Sequence, residues 1–216
     1  MRRPFRLLIG SGVLAAALLG TAAPSHAAGT VVLSSGHVDI VDVAYEDGAL
    51  EIGVHDETVD PDVEREAGDV VFLVKNAART TIPADPAFGF LGTAGKPTWI
   101  LPEIQNEDLL WPGIAAEEIE AGVFAGDPVT LAVQKVTGPG RLALFTEDAV
   151  GTPTVLVNSA DGLPDTLSLH AGSHQHASWA FSKAGVYLIK VRATGTLIGG
   201  ATVTSEPAVY KVVVQP

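Results

Sequence analysis

Apolar and polar residues alternate along many short stretches of this chain. In "VDVAYEDGALEIGV", Val41, Val43 and Tyr45 alternate before the acidic turn, and Leu50, Ile52 and Val54 alternate after it. A period of two belongs to extended strands. Asp-Gly between two such runs marks a hairpin. A two-residue turn at Asp47-Gly48 pairs Glu46 with Ala49, Tyr45 with Leu50, Val43 with Ile52 and Val41 with Val54. These six apolar side chains then share a core face. Continued past its apolar part, that face reaches Asp39, His37 and Asp56, and His55 falls on the opposite one. A three-residue turn would reverse the placement of His55.

The same pattern recurs to the C-terminus. "DVVFLVK", "PVTLAVQKV", "RLALFTED", "TPTVLVNS", "TLSLHAG" and "VYKVVV" are short alternating runs, broken by Gly, Pro or Asp. "KAGVYLIKVRATGT" and "VYKVVV" read as a last hairpin. Residues 83–113 are rich in Pro and Gly and predict a long irregular connection with a short strand at "TWIL". Connections of this length act functionally or pack as a cap. "GIAAEEIEAGVF" carries Ile114, Ile119 and Val123 at rough helical spacing and predicts one short helix ended by Gly122. The fold expected is therefore all-β: an immunoglobulin-like β-sandwich with long Pro/Gly-rich connections and one short helix. Trp179, Phe181 and Tyr187 are expected in its core. Trp99 and Trp111, on Pro-rich loops, are expected to cap one end or to form a stacking platform for sugars.

The chain begins differently. Arg2, Arg3 and Arg6 precede an apolar run from Leu7 to about Leu19, and small residues follow up to Ala27. This is the layout of a secretory signal peptide over residues 1–27, too short in its apolar part for a membrane span. "RRPF" also resembles a twin-arginine signal, so the export route stays open. One domain, residues 28–216, is expected to follow, secreted or associated with the cell surface.

The chain has 13 basic and 25 acidic residues, and removing residues 1–27 takes three arginines, leaving a formal net charge of −15. Such a surface repels phosphate backbones, so nucleic acid is not expected as a partner. It also raises the local concentration of cations. There is no cysteine. Thiolate chemistry and iron–sulfur clusters are therefore excluded, and an exported domain of this kind must rely on its core rather than on disulfides.

Against that background the histidines carry the chemistry. Three of the six (His170, His174, His176) fall within seven residues. On a strand, His174 and His176 point to one face, with Cα atoms roughly 6.6 Å apart, and two such imidazoles can converge on one ion. His37 and Asp39 stand together just beyond the apolar part of the first hairpin. If the sandwich brings these two strands together, His37, Asp39, His174 and His176 form a three-histidine, one-carboxylate set that suits zinc, manganese or iron. Such a site should release its metal in acid, starting near pH 6.5. The ordinary alternative for His55 and His170 is a surface or hydrogen-bonded role. For Asp39 and Asp56 it is a solvated strand end.

In order, "SSGHVDI", "GKPTWILPEIQ", "LLWPGIAAEEI", "GPGRLALF", "VNSADGLPDTLSL" and "HQHASWAFSKAGVY" resemble the actinobacterial surface-anchored protein domain, also called the choice-of-anchor M domain. The resemblance covers nearly all of residues 31–214. It implies an exported protein associated with a zinc/manganese ABC importer, with the importer's solute-binding component as partner, and His37 matches that family's "GHVD". Anchored members carry a wall or membrane signal; with none in these 216 residues, a secreted or partner-held form is expected. No G-x-S-x-G elbow and no HExxH motif occurs, so a non-enzymatic binding protein is expected. A surface module binding protein or glycan without metal is the alternative.

Overall fold

The computed structural model describes residues 29–216; the signal peptide expected at 1–27 lies outside the described residues. The first strands are β1 (Val31–Leu33), β2 (Gly36–Glu46), β3 (Ala49–Asp56), β4 (Val63–Glu66), β5 (Val70–Val74) and β6 (Arg79–Thr81). Next come β7 (Pro97–Leu101), β8 (Leu110–Ala115), β9 (Val129–Thr137), β10 (Leu142–Glu147) and β11 (Pro153–Asn158). The chain ends with β12 (Asp165–Leu169), β13 (His174–His176), β14 (Ser178–Phe181), β15 (Gly185–Thr196), β16 (Thr202–Thr204) and β17 (Ala208–Val214). The molecule is an all-β sandwich.

The pairing divides into three sheets. One runs β1-β5-β17-β15-β9-β12, with β16 added on β15. A second runs β11-β10-β14-β7-β6, and a third β13-β8-β2-β3-β4. All three bury side chains in one core, meeting where Val41 and Ile114 face Leu131, Ile189, Leu144 and Trp179. Trp179, Phe181 and Tyr187 are buried there, as expected. The expected last hairpin is the antiparallel β15–β17 pair. The second sheet is apolar on its outer face too. Ala143, Phe145 and Ala180 pack there against Leu91, Phe88 and Phe90 of the 3-10 segment Pro86–Leu91. The long Pro/Gly-rich connection thus acts as a cap.

The first hairpin forms the expected turn. Asp47 and Gly48 both take positive φ, 48° and 85°, as a type I′ turn requires. Glu46 pairs with Ala49, Tyr45 with Leu50 and Val43 with Ile52. Beyond that the register departs from expectation. The pairing shifts between Asp39 and Asp42, so Ile40 and Val41 together oppose one residue of β3. Both are buried apolar residues, and a bulge lets two consecutive ones serve the core. Val41 therefore does not pair with Val54. Asp39 pairs with His55 and Val38 with Asp56, so His55 shares the face of Asp39 and Asp56 does not.

The helix expected within residues 113–124 does not form. Ile114 and Ala115 end strand β8, which pairs with β2 and β13, and the following residues are turns. Ile114, Ala115, Ala116 and Ile119 are all buried. A segment this short nucleates a helix poorly, and sheet pairing that buries nearly every residue prevails over a rough helical stripe. Among the described residues the helical segments are 3-10 turns.

Candidate metal centre

Strand β8 organises the site. It pairs in parallel with β2, setting His37 beside Trp111 and Asp39 beside Gly113. On its other side it pairs with β13, setting His174 beside Ala115 and His176 beside Gly113. Directly paired residues project to the same face. Asp39, Gly113 and His176 therefore form one row across three strands, with a glycine in the middle. Side chains from both flanking strands lean over that vacant position.

The geometry is tight. The Nε2 atoms of His37 and His174 are 3.3 Å apart. Asp39 Oδ1 lies 3.0 Å from His174 Nε2 and 3.5 Å from His37 Nε2. His176 joins them, with ligand atoms of the three histidines all within 4.8 Å of one another. A tetrahedral ion bound at about 2.0–2.1 Å has edges between its ligands of about 3.3–3.4 Å. The three measured separations bracket that value.

Two observations mark the centre as specialised. A Cβ placed on Gly113 would come to 1.8 Å from Asp39 Oδ1 and 2.8 Å from His174 Nε2. Only glycine lets the carboxylate and the imidazole close over β8 at this point. Asp39 is 1% exposed, and its Oδ1 has no hydrogen-bond donor. Buried carboxylates are ordinarily paired and hydrogen-bonded; this one faces only imidazole nitrogens.

The outer nitrogens of two of the rings are held by acceptors. His37 Nδ1 lies 2.9 Å from Glu57 Oε1, and His176 Nδ1 donates to the Pro112 carbonyl at 3.0 Å. His174 Nδ1 is 3.7 Å from Glu117 Oε2. An acceptor at Nδ1 places the N–H of a neutral imidazole there, leaving Nε2 as a bare lone pair turned inward. Lone pairs from His37 and His176 thus converge with a carboxylate oxygen, an array that calls for a cation. Without metal a proton serves. The contact with Asp39 raises the His37 pKa, burial opposes it, and Glu57 adds to the rise. His176 moves the other way, because burial disfavours its charged form and His174 and His37 repel it.

Trp111 walls one side, its ring stacked on His176 at 3.8 Å and 3°. It sits 4.8 Å from His37, and its Nε1 donates to the Glu103 carbonyl at 2.7 Å. Glu57 and Glu117 are 39% and 56% exposed, so the centre opens to solvent on their side.

All four residues expected from sequence, His37, Asp39, His174 and His176, are brought together. One expectation about tryptophan is corrected. Trp99 is buried beside Leu101 in the core and forms no platform with Trp111. His170 pairs with Asp127 at the surface, 2.7 Å away. Asp56 is not a solvated strand end. It is fully buried and bound by Arg65 Nε at 2.8 Å, Arg65 Nη2 at 2.7 Å and Thr58 Oγ1 at 2.6 Å. Glu57, Gly113, Glu117 and the Pro112 carbonyl were not singled out by sequence reasoning. "HDE" at 55–57, directly across the hairpin from "HVD", was the available signal for Glu57.

No family model matches the chain, and no curated protein or solved structure matches it.

Proposed function

We propose that this chain is an exported, non-enzymatic binding protein that holds one divalent transition metal through His37, Asp39, His174 and His176. Zinc is the preferred ion. Three imidazoles and a carboxylate suit zinc, and His37, His174 and Asp39 stand at tetrahedral spacing, whereas manganese favours oxygen-rich sets. The observation that carries this reading is the inward convergence of imidazole nitrogens on a buried carboxylate oxygen that has no donor, over a glycine whose lack of a side chain lets them approach.

The role we assign is capture and presentation. The solvent-facing side, flanked by Glu57 and Glu117, leaves the ion within reach of a partner's ligands. The signal-like start of the chain, and its resemblance to surface domains associated with zinc/manganese ABC importers, support a secreted or surface-held protein. On this reading the partner is the importer's solute-binding component.

The test is elemental analysis of protein purified without chelator or His-tag, followed by calorimetric titration with zinc at neutral pH. One equivalent of zinc, lost in the double variant His174→Ala, His176→Ala, is expected. Absence of saturable binding, or binding unchanged in that variant, would refute the reading.

A further inference from the structure

A second feature opens three residues further along β2. A groove of about 920 Å³ runs over the outer face of β2–β4 and round the edge of β3 to the segment joining β16 to β17. Seven of its lining residues are acidic and one, Arg65, is basic. Arg65 is already committed, with Nε and Nη2 both bound to Asp56, so it does not neutralise the groove.

Asp42 lies at its floor. It is 5% exposed, and among the described residues its carboxylate makes no hydrogen bond and no ion pair. Its position follows from the bulge at Ile40-Val41, which sets it between Gly53 on β3 and Ala115 on β8. Neither neighbour can reach over to cover it, so the carboxylate is left facing the groove. Glu64 and Glu118 lie close enough to repel it. Glu46, Glu51 and Glu66 line the groove on the face of Asp42, with Ala44 and Ala49 between the charges, while Leu50, Ile52, Glu206 and Val209 line its part beyond the edge of β3. An unpartnered buried carboxylate is expensive to maintain; among the described residues no donor reaches this one, and only the charge of His55 acts in its favour.

The geometry points to an extended, lysine-bearing segment of a partner protein as the occupant, with one ammonium seated on Asp42. The groove matches that chemistry in three ways. A lysine stem is an alkyl chain that lies along apolar surface, while its head needs acceptors. Asp42 offers acceptors at depth. The other carboxylates lie along the groove rather than at one point, as a segment with several basic residues requires, and complementary charge both guides and orients such docking.

The experiment is fluorescence anisotropy of a fluorescein-labelled heptapeptide, Ala-Lys-Val-Lys-Val-Lys-Ala, titrated with the purified protein. It is run at pH 8, because burial and the carboxylates of Glu64 and Glu118 push the Asp42 carboxyl up to about 7. Saturable binding is expected, weakened about tenfold by Asp42→Asn and two- to threefold by Glu118→Gln. Glu107→Gln, an exposed acid outside the groove, should leave binding unchanged. Thermal unfolding of Asp42→Asn checks that the variant is folded, and Glu118→Gln, at the surface, gives a second reading independent of that check. Equal affinity in Asp42→Asn and the parent overturns the assignment. So does an equal loss in Glu107→Gln, which would mean only diffuse attraction to an acidic protein. Displacement by spermine as effective as by unlabelled peptide overturns the protein-segment assignment in favour of a small polyamine.

Discussion

Asp39 and Asp56 sit on adjacent strands at the same end of one sheet, and both are withdrawn from water, at 1% and 0% exposure. Their surroundings are opposite. Asp56 has a guanidinium, a hydroxyl and a backbone N–H, the last from Thr58 at 3.0 Å. It is a completed structural ion pair. Asp39 Oδ1 has no donor, and the nitrogens around it are the Nε2 atoms of His174 and His37. Burial alone therefore does not distinguish a structural carboxylate from a functional one. What distinguishes them is whether the chain itself supplies the compensating charge.

The largest effect should separate the two directly. Asp56→Ala leaves Arg65 without its partner. Because Arg65 is partly exposed, the loss should fall at the low end for a broken buried pair, about 3 kcal/mol, read by denaturant unfolding of the metal-free protein. Asp39→Ala should leave metal-free stability unchanged or raise it, while zinc affinity collapses. If the two variants destabilise equally, the contrast is broken.

Gly113→Ala should come next. Its methyl would overlap Asp39 Oδ1, so zinc uptake is expected to disappear with a stability loss of about 1–3 kcal/mol for overpacking. Normal zinc binding in this variant would show that the centre lies elsewhere. Glu57→Gln is milder. It keeps the side chain's shape and weakens its hold on His37 Nδ1. Zinc affinity should fall roughly 10- to 100-fold, as outer partners of metal-bound histidine typically show, with thermal unfolding of the metal-free protein nearly unchanged.

The smallest effect is a pH dependence. Burial alone pushes the Asp56 carboxyl up, but hydrogen bonds from Thr58 and Arg65 outweigh it and hold it below the ordinary carboxylate value. A depressed folded-state pKa means the stabilisation is present at neutral pH and is lost as pH falls through the folded-state value. The difference in unfolding temperature between the parent and Asp56→Asn should therefore be full at pH 7 and shrink below roughly pH 4. A constant difference down to pH 2 would contradict this.

Much of the site was readable because its signals are local. The "HQH" spacing gives one face of a strand, and the Asp-Gly turn gave the correct pairing from Glu46 to Val43. What escaped was long-range. The bulge at Ile40-Val41 exists because two consecutive apolar residues both reach the core, and alternation alone does not say where a strand breaks step. That slip moved His37 and Asp39 onto the face of His55, opposite to the one expected, while Asp56 stayed on the core face. Strand β8 was missed because Pro112 and Gly113 look like a turn and "IAAEEI" looks like a helix. Yet β8 is what brings residues 37–39 and 174–176 together, and its glycine is the floor of the site. The fold class was legible from periodicity, while the third sheet, which depends on β8, was not.

The placement of β13 carries a last consequence. It is three residues long and holds to the sheet through β8 on one side only. Two of those residues are proposed ligands, and the other two stand two strands inward. On the proposed reading, an ion between them fastens the outermost ribbon to the interior, and surrendering it lets the margin fray. Cargo transfer would then be visible as faster amide deuteration at Gln175, a readout of delivery that needs no probe for the metal.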